Sequence, residues 1–136
     1  MRAWLNELFR KGRHRTGEGT PPEGEAELSP EERAVLLVGI LDDPAAREDE
    51  KYDAAMYLED FPGPFVESAL IRTIRSEDFS SVLAQHCAES LAGIWAQQGR
   101  IDQDFFPELR RTALDEVLGV LGARAPHLIP GHTSPP

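Results

Sequence analysis

The chain carries its apolar residues in short periodic runs separated by acidic or proline-containing breaks. In "MRAWLNELFRK", residues 1–11, Trp4, Leu5, Leu8 and Phe9 recur at helical spacing with Arg2, Arg10 and Lys11 around them. This pattern predicts a short amphipathic helix. Residues 12–28, "GRHRTGEGTPPEGEAEL", are rich in Gly, Pro and Glu with almost nothing to bury, so they read as a flexible linker that tethers the first helix. The folded part begins at "SPEE". Ser29 stands at a cap position, Pro30 suits the first helical position, and Glu32 is placed to close a capping box. The run "AVLLVGIL" at 34–41 is apolar on all sides and by periodicity alone fits a buried strand. The capping signals decide for a helix.

Asp43 and Pro44 then break the pattern as a turn or second cap. A helix over about 49–61 follows, with Ala54, Ala55, Leu58 and Phe61 inward, and "PGP" at 62–64 ends it. The next, over about 64–75, shows Val66, Ala69, Leu70, Thr73 and Ile74 on one face. After "SEDFSS", a helix over about 81–97 buries Leu83, Cys87, Ala88, Leu91, Ile94 and Trp95. "QGRID" turns the chain, Asp102 can cap, and a last helix over about 103–121 carries Phe106, Leu109, Ala113, Val117, Leu118 and Leu121. Gly39, Gly93 and Gly119 sit inside helical patterns, where they are expected to ease packing. The segment 123–136 is a proline-rich tail, expected to lack order after Ile129.

Successive helices with short breaks raise the question of repeats. Laying "DAAMYLEDF" over "HCAESLAGI" pairs Ala54 with Cys87, Ala55 with Ala88, Leu58 with Leu91 and Phe61 with Ile94, at an offset of 33 residues. Leu37 and Leu41 precede Leu70 and Ile74 by the same offset. Two matches at one period predict an all-α fold, a short α-solenoid over residues 29–122.

The Ala54, Ala55, Leu58 pattern, its "CAESLAGI" version and the acidic turns "DDP" and "SED" resemble HEAT repeats, including the HEAT-like units shared with phycobilin lyases. The resemblance covers residues 34–122, roughly two and a half repeats. It implies helical hairpins whose small residues let neighbouring first helices lie close. It also implies a protein-binding scaffold, the usual role of such arrays. The stretch "AESLAGIWAQQGRID" is similar to small bacterial HEAT-like proteins, which implies an inhibitor or immunity-type role and transfers no site residue.

Charge sharpens this picture. The 136 residues are 40% hydrophobic and 28% charged, an ordinary soluble balance, but the net charge is -10. Such a surface repels phosphate backbones and attracts basic proteins, so the expected partner is a protein and not nucleic acid. The charge is also segregated. Residues 1–15 hold five basic residues against Glu7, a net of +4, so the remainder carries -14. The densest acidic block is Asp42, Asp43, Glu48, Asp49, Glu50, Asp53, Glu59 and Asp60 against Arg47 and Lys51. Charge blocks of this kind are usually solvated faces. The sharper reading is a docking patch for a basic protein, with Tyr52, Tyr57 and, further off, Phe79 adding contact area.

Signals for chemistry are sparse. Cys87 is the single cysteine, which rules out an intrachain disulfide and suits a reducing, cytoplasmic compartment. As a nucleophile it needs a base, and the adjacent His86 points about 100° away around the helix, so buried packing is the expectation. His86 and Glu89 share a face without further metal ligands, and His14, His127 and His132 form no spaced set. No phosphate loop or nucleophile motif is present, and no cofactor is expected. No apolar run approaches the roughly 20 residues of a membrane span, and the N-terminus lacks the apolar core of a secretory signal. The function expected is therefore a non-catalytic protein-binding module. The alternatives are a membrane-peripheral protein that lays residues 1–15 on anionic lipid, and a HEAT-like lyase-type enzyme.

Overall fold

The computed structural model describes residues 28–131, and among them all regular structure is helical, with no strand. The expected helix at 1–11 and most of the linker lie outside the described residues, as do His14 and His132.

Helix α1 (Pro30–Asp42) opens on the capping box foreseen from "SPEE". The Glu32 amide donates to Ser29 Oγ at 3.1 Å and the Ser29 amide donates to Glu32 Oε1 at 2.9 Å, so two orphan donors of the first turn are satisfied reciprocally. Hydrogen bonding from Ser29, its backbone amide first and then its side chain, holds the Glu32 carboxyl below its usual range. Residues 34–41 are thus helical, and they are not buried on all sides. Leu37, Val38, Ile40 and Leu41 face the core while Val35 and Leu36 face outward.

Helix α2 (Glu48–Tyr57) tightens into a 3-10 turn at Leu58–Asp60, ending the regular helix earlier than the sequence pattern indicates. Phe61 is only half-buried as a result. Helix α3 (Pro64–Ser76) buries all five of its expected inward residues. Ser81 caps helix α4 (Val82–Gln98), accepting from the Ala84 amide at 3.0 Å. Gly99 closes the helix in the left-handed conformation, φ 73°, its amide donating to the Trp95 carbonyl at 2.8 Å.

The last helix departs most from expectation. Asp102 does cap, accepting from the amides of Asp104 and Phe105 at 2.9 and 2.8 Å, but it starts only a turn. Pro107 lies in a short 3-10 segment, Phe106–Glu108, and helix α5 (Arg111–Arg124) begins after it. Proline in the helix interior removes an amide donor and clashes with the preceding turn, so 103–110 cannot be continuous helix. The bend turns Phe105 inward to 1% exposure and leaves Phe106 half-buried; on α5 itself, Leu118 is also only half-buried. The Ala113 amide then donates to the Phe79 carbonyl at 2.9 Å, tying the start of α5 to the α3–α4 connection. A final 3-10 turn at Pro126–Leu128 follows, with Leu128 and Ile129 half-buried against the core.

Helix α4 is the middle of the molecule and packs on α2, α3 and α5. Its Ala84, Cys87, Ala88, Leu91, Ala92, Ile94 and Trp95 are all essentially inaccessible to water. Small residues let α2 approach closely enough that Ser90 Oγ donates to the Ala55 carbonyl at 2.6 Å. Of the glycines placed in helices, only Gly93 serves close approach: the Glu59 carboxylate lies where its side chain would be. Around Gly39 and Gly119 the space is open, contrary to the packing role expected of them.

This separates the glycines experimentally. Gly39→Ala and Gly119→Ala should each raise stability by about 0.5–1 kcal/mol in urea unfolding, since alanine adds helix propensity and meets no neighbour. Gly93→Ala should yield little or no gain, because the new methyl displaces Glu59 from its pairing with Arg124.

Candidate functional site

The acidic block divides into residues that build the fold and residues that face solvent. Asp42 pairs with Arg72 at 2.8 Å and joins α1 to α3. Asp43 Oδ1 accepts from the Ala45 amide at 2.8 Å, setting the turn between α1 and α2. Glu50 is 7% exposed, and its carboxylate accepts from the Arg47 amide at 3.0 Å to close the start of α2. Glu59 pairs with Arg124 at 3.2 Å and so ties the end of α2 to α5. Tyr57 lies half-buried against the core.

The remaining acids lie on α2 and on the 3-10 turn that follows it. Glu48, Asp49, Asp53 and Asp60 are exposed. Asp49 accepts from the Glu50 amide at 3.0 Å and pairs with Arg47 at 3.2 Å, both side chains of that pair being more than half exposed, so the pair neutralises little in water. Asp49, Asp53 and Met56 follow one another at spacings of four and three residues on one face of α2, and Asp60 follows in the 3-10 turn that ends it. Met56 is 51% exposed and gives this negative strip an apolar centre. The sequence pattern passes over it because one methionine among acids carries no periodic signal.

Beside the strip, the Tyr52 hydroxyl donates to Glu48 Oε2 at 3.2 Å. Loss of solvent and the nearby Glu48 charge push the phenol above its ordinary range. The Tyr52 ring meets His86 with centroids 5.3 Å apart, so His86 contacts α2, across the interface from its own helix. Glu89 is exposed on α4. Phe79 is buried under the Arg110 guanidinium, 4.5 Å from its ring centre, and takes no part in the α2 face. Among the described residues no group of three or more His, Cys, Asp or Glu could hold a metal ion, and no helix is long and apolar enough to cross a membrane.

Cys87 is fully buried in the core on α4. Burial first, and then the charge of Glu77, push its thiol well above the usual range. It therefore stays protonated and cannot act as a thiolate nucleophile at neutral pH. Glu67 is a second buried acid that sequence pattern does not flag. It sits in the first turn of α3, where the positive end of the helix favours a carboxylate.

No family model, curated protein or solved structure matches this chain. The α2 face is therefore characterised by its own geometry and charge.

The state of Cys87 has a measurable consequence. Its folded-state pKa is raised, so above about pH 8.5 the unfolded chain releases a proton that the folded chain keeps. Wild-type stability should then fall by up to about 1.4 kcal/mol per pH unit, beyond the loss shown by Cys87→Ala, when both are unfolded in urea between pH 8 and 10. In parallel, a thiol-specific chromogenic reagent at neutral pH should react only as fast as the fold opens.

Proposed function

We propose that this domain is a non-catalytic protein-binding module, a short solenoid of HEAT-like hairpins that offers the outer face of α2 to a basic protein. The observation that carries the reading is the strip Asp49, Asp53, Met56, Asp60, in which exposed carboxylates flank an exposed apolar side chain. Acids that only cap a helix gather in its first turn, as Glu48, Asp49 and Glu50 do. Asp53 and Asp60 lie beyond that turn, outside the reach of that stabilisation.

The repeat reading is supported by the paired positions. Ala54 and Cys87, Ala55 and Ala88, and Leu58 and Leu91 are all fully buried, as are Leu70 and Ile74, with Leu37 and Leu41 close to it. Phe61 is the exception, because the chain has left regular helix there. A negative strip steers a basic partner during encounter, and the methionine supplies adaptable contact once it docks.

The test uses a partner recovered from the native source by cross-linking and then purified. Association with the full chain should slow as ionic strength rises. Asp49→Lys, Asp53→Lys and Asp60→Lys together should lower the on-rate at least tenfold with little change in melting temperature. Met56→Ala should raise the off-rate instead. An on-rate indifferent to both salt and the triple reversal would remove α2 as the docking face.

A further inference from the structure

The described chain begins at Leu28, and two residues later Pro30 already lines a groove. The groove runs between the first turns of α1 and the segment that joins Asp60 to Val66, and its volume is about 380 Å³. That lies within the range of about 300–1,000 Å³ typical of small-ligand pockets. Its walls are apolar, formed by Ala34, Val35, Phe61, Pro62 and Phe65. Val35 is 57% exposed and Phe65 54%, although both are large and face the same opening. At the rim stand two exposed carboxylates, Glu31 and Asp60.

We propose that residues 1–11 of this same chain occupy the groove as an amphipathic helix. Trp4, Leu5, Leu8 and Phe9 would cover Val35, Phe61 and Phe65, with Arg10 and Lys11 directed at Glu31 and Asp60. Reach supports this occupant. A random coil of sixteen residues, the length of 12–27, spans about 20–24 Å root-mean-square, and the described chain begins at Leu28, two residues from the groove lining at Pro30. Tethering at that distance makes docking intramolecular, with an effective concentration on the order of millimolar, so weak contacts suffice.

Charge supports it as well. Residues 1–15 carry a net of +4 and the rest of the chain -14, so segment and rim attract. A second copy is a poorer occupant, since each molecule carries -10 and approach of two is repulsive. The docked segment would hide the apolar side chains that the groove leaves open. Asp60 is common to this rim and to the strip proposed for a partner, but Trp4 shielding is read on the chain alone, so its failure and the failure of that reading are distinguishable.

The chain has two tryptophans, and Trp95 is fully buried, so acrylamide quenching of the intact protein reports on Trp4. In the wild type Trp4 should be shielded. Leu5→Asp with Leu8→Asp, which changes only the segment, should raise its quenching constant several-fold and leave the thermal unfolding of the core cooperative. Val35→Asp and Phe65→Asp, at exposed positions of the groove wall, should have the same effect. The inference is overturned if wild-type Trp4 quenches as readily as in the segment variant. It also fails if the groove variants leave Trp4 shielded, which places the segment elsewhere, or if shielding is lost on dilution, which makes the occupant another molecule.

Discussion

The structure depends on how closely its neighbours can approach α4. Three helices pack on it, and each requires a face without large side chains at the crossing or with a large one placed to fill the remaining space. Ala84, Cys87, Ala88 and Ala92 provide the first condition, and Leu91, Ile94 and Trp95 the second. The hydroxyl of Ser90, buried at 2% exposure, turns the closest of these approaches into a hydrogen bond with the backbone of α2. A larger residue in place of Ser90 would remove that bond and crowd α2 at its nearest approach. Cys87 reads as a small core residue, and its raised thiol pKa follows from its burial.

The surface follows from what the core excludes. Among the described residues four arginines hold ion pairs, and three of those pairs join segments distant in sequence: Arg72 to Asp42, Arg75 to Glu108 and Arg124 to Glu59. Each is solvent-exposed and contributes little by itself, but the geometry fixes which acids are occupied. Arg75 makes a forked contact with Glu108, which lowers the carboxyl pKa and raises that of the guanidinium, and it also lies 5.2 Å from the centre of the Phe105 ring. Three of these cations are committed to acids on other segments, and on α2 and its cap only Arg47 and Lys51 stand against its acids. The negative strip is what the arrangement leaves over.

Much of the helix layout was legible because it rests on local chemistry. The box at Ser29 and Glu32, the cap at Ser81, the stop at Gly99 and the proline breaks act within a few residues, so their signals are written next to the structure they cause. The inward strips of α3 and α4 were legible for a similar reason, since a helix of known period must bury its apolar side. Reading failed where two local rules competed. Through 103–110 apolar spacing favoured a helix while Pro107 opposed it, and the proline prevailed because a missing donor and a steric clash are not relieved by packing. The result brought Phe105 into the core in place of Phe106.

The sequence by itself determined an all-helical domain, the faces its central helices bury and an acidic surface, all of which follow from short-range periodicity and counted charge. Only the tertiary structure decided which acids join distant segments and which face solvent. Asp42 and Glu59 are drawn off by arginines 30 and 65 residues away, and Glu50 turns inward to close a helix start, while Asp49, Asp53 and Asp60 come to flank Met56. The same holds for the groove, where Val35 and Phe65, thirty residues apart in sequence, share one opening. Charge pairing and surface concavity depend on distances in space, and those exist only once the helices have packed.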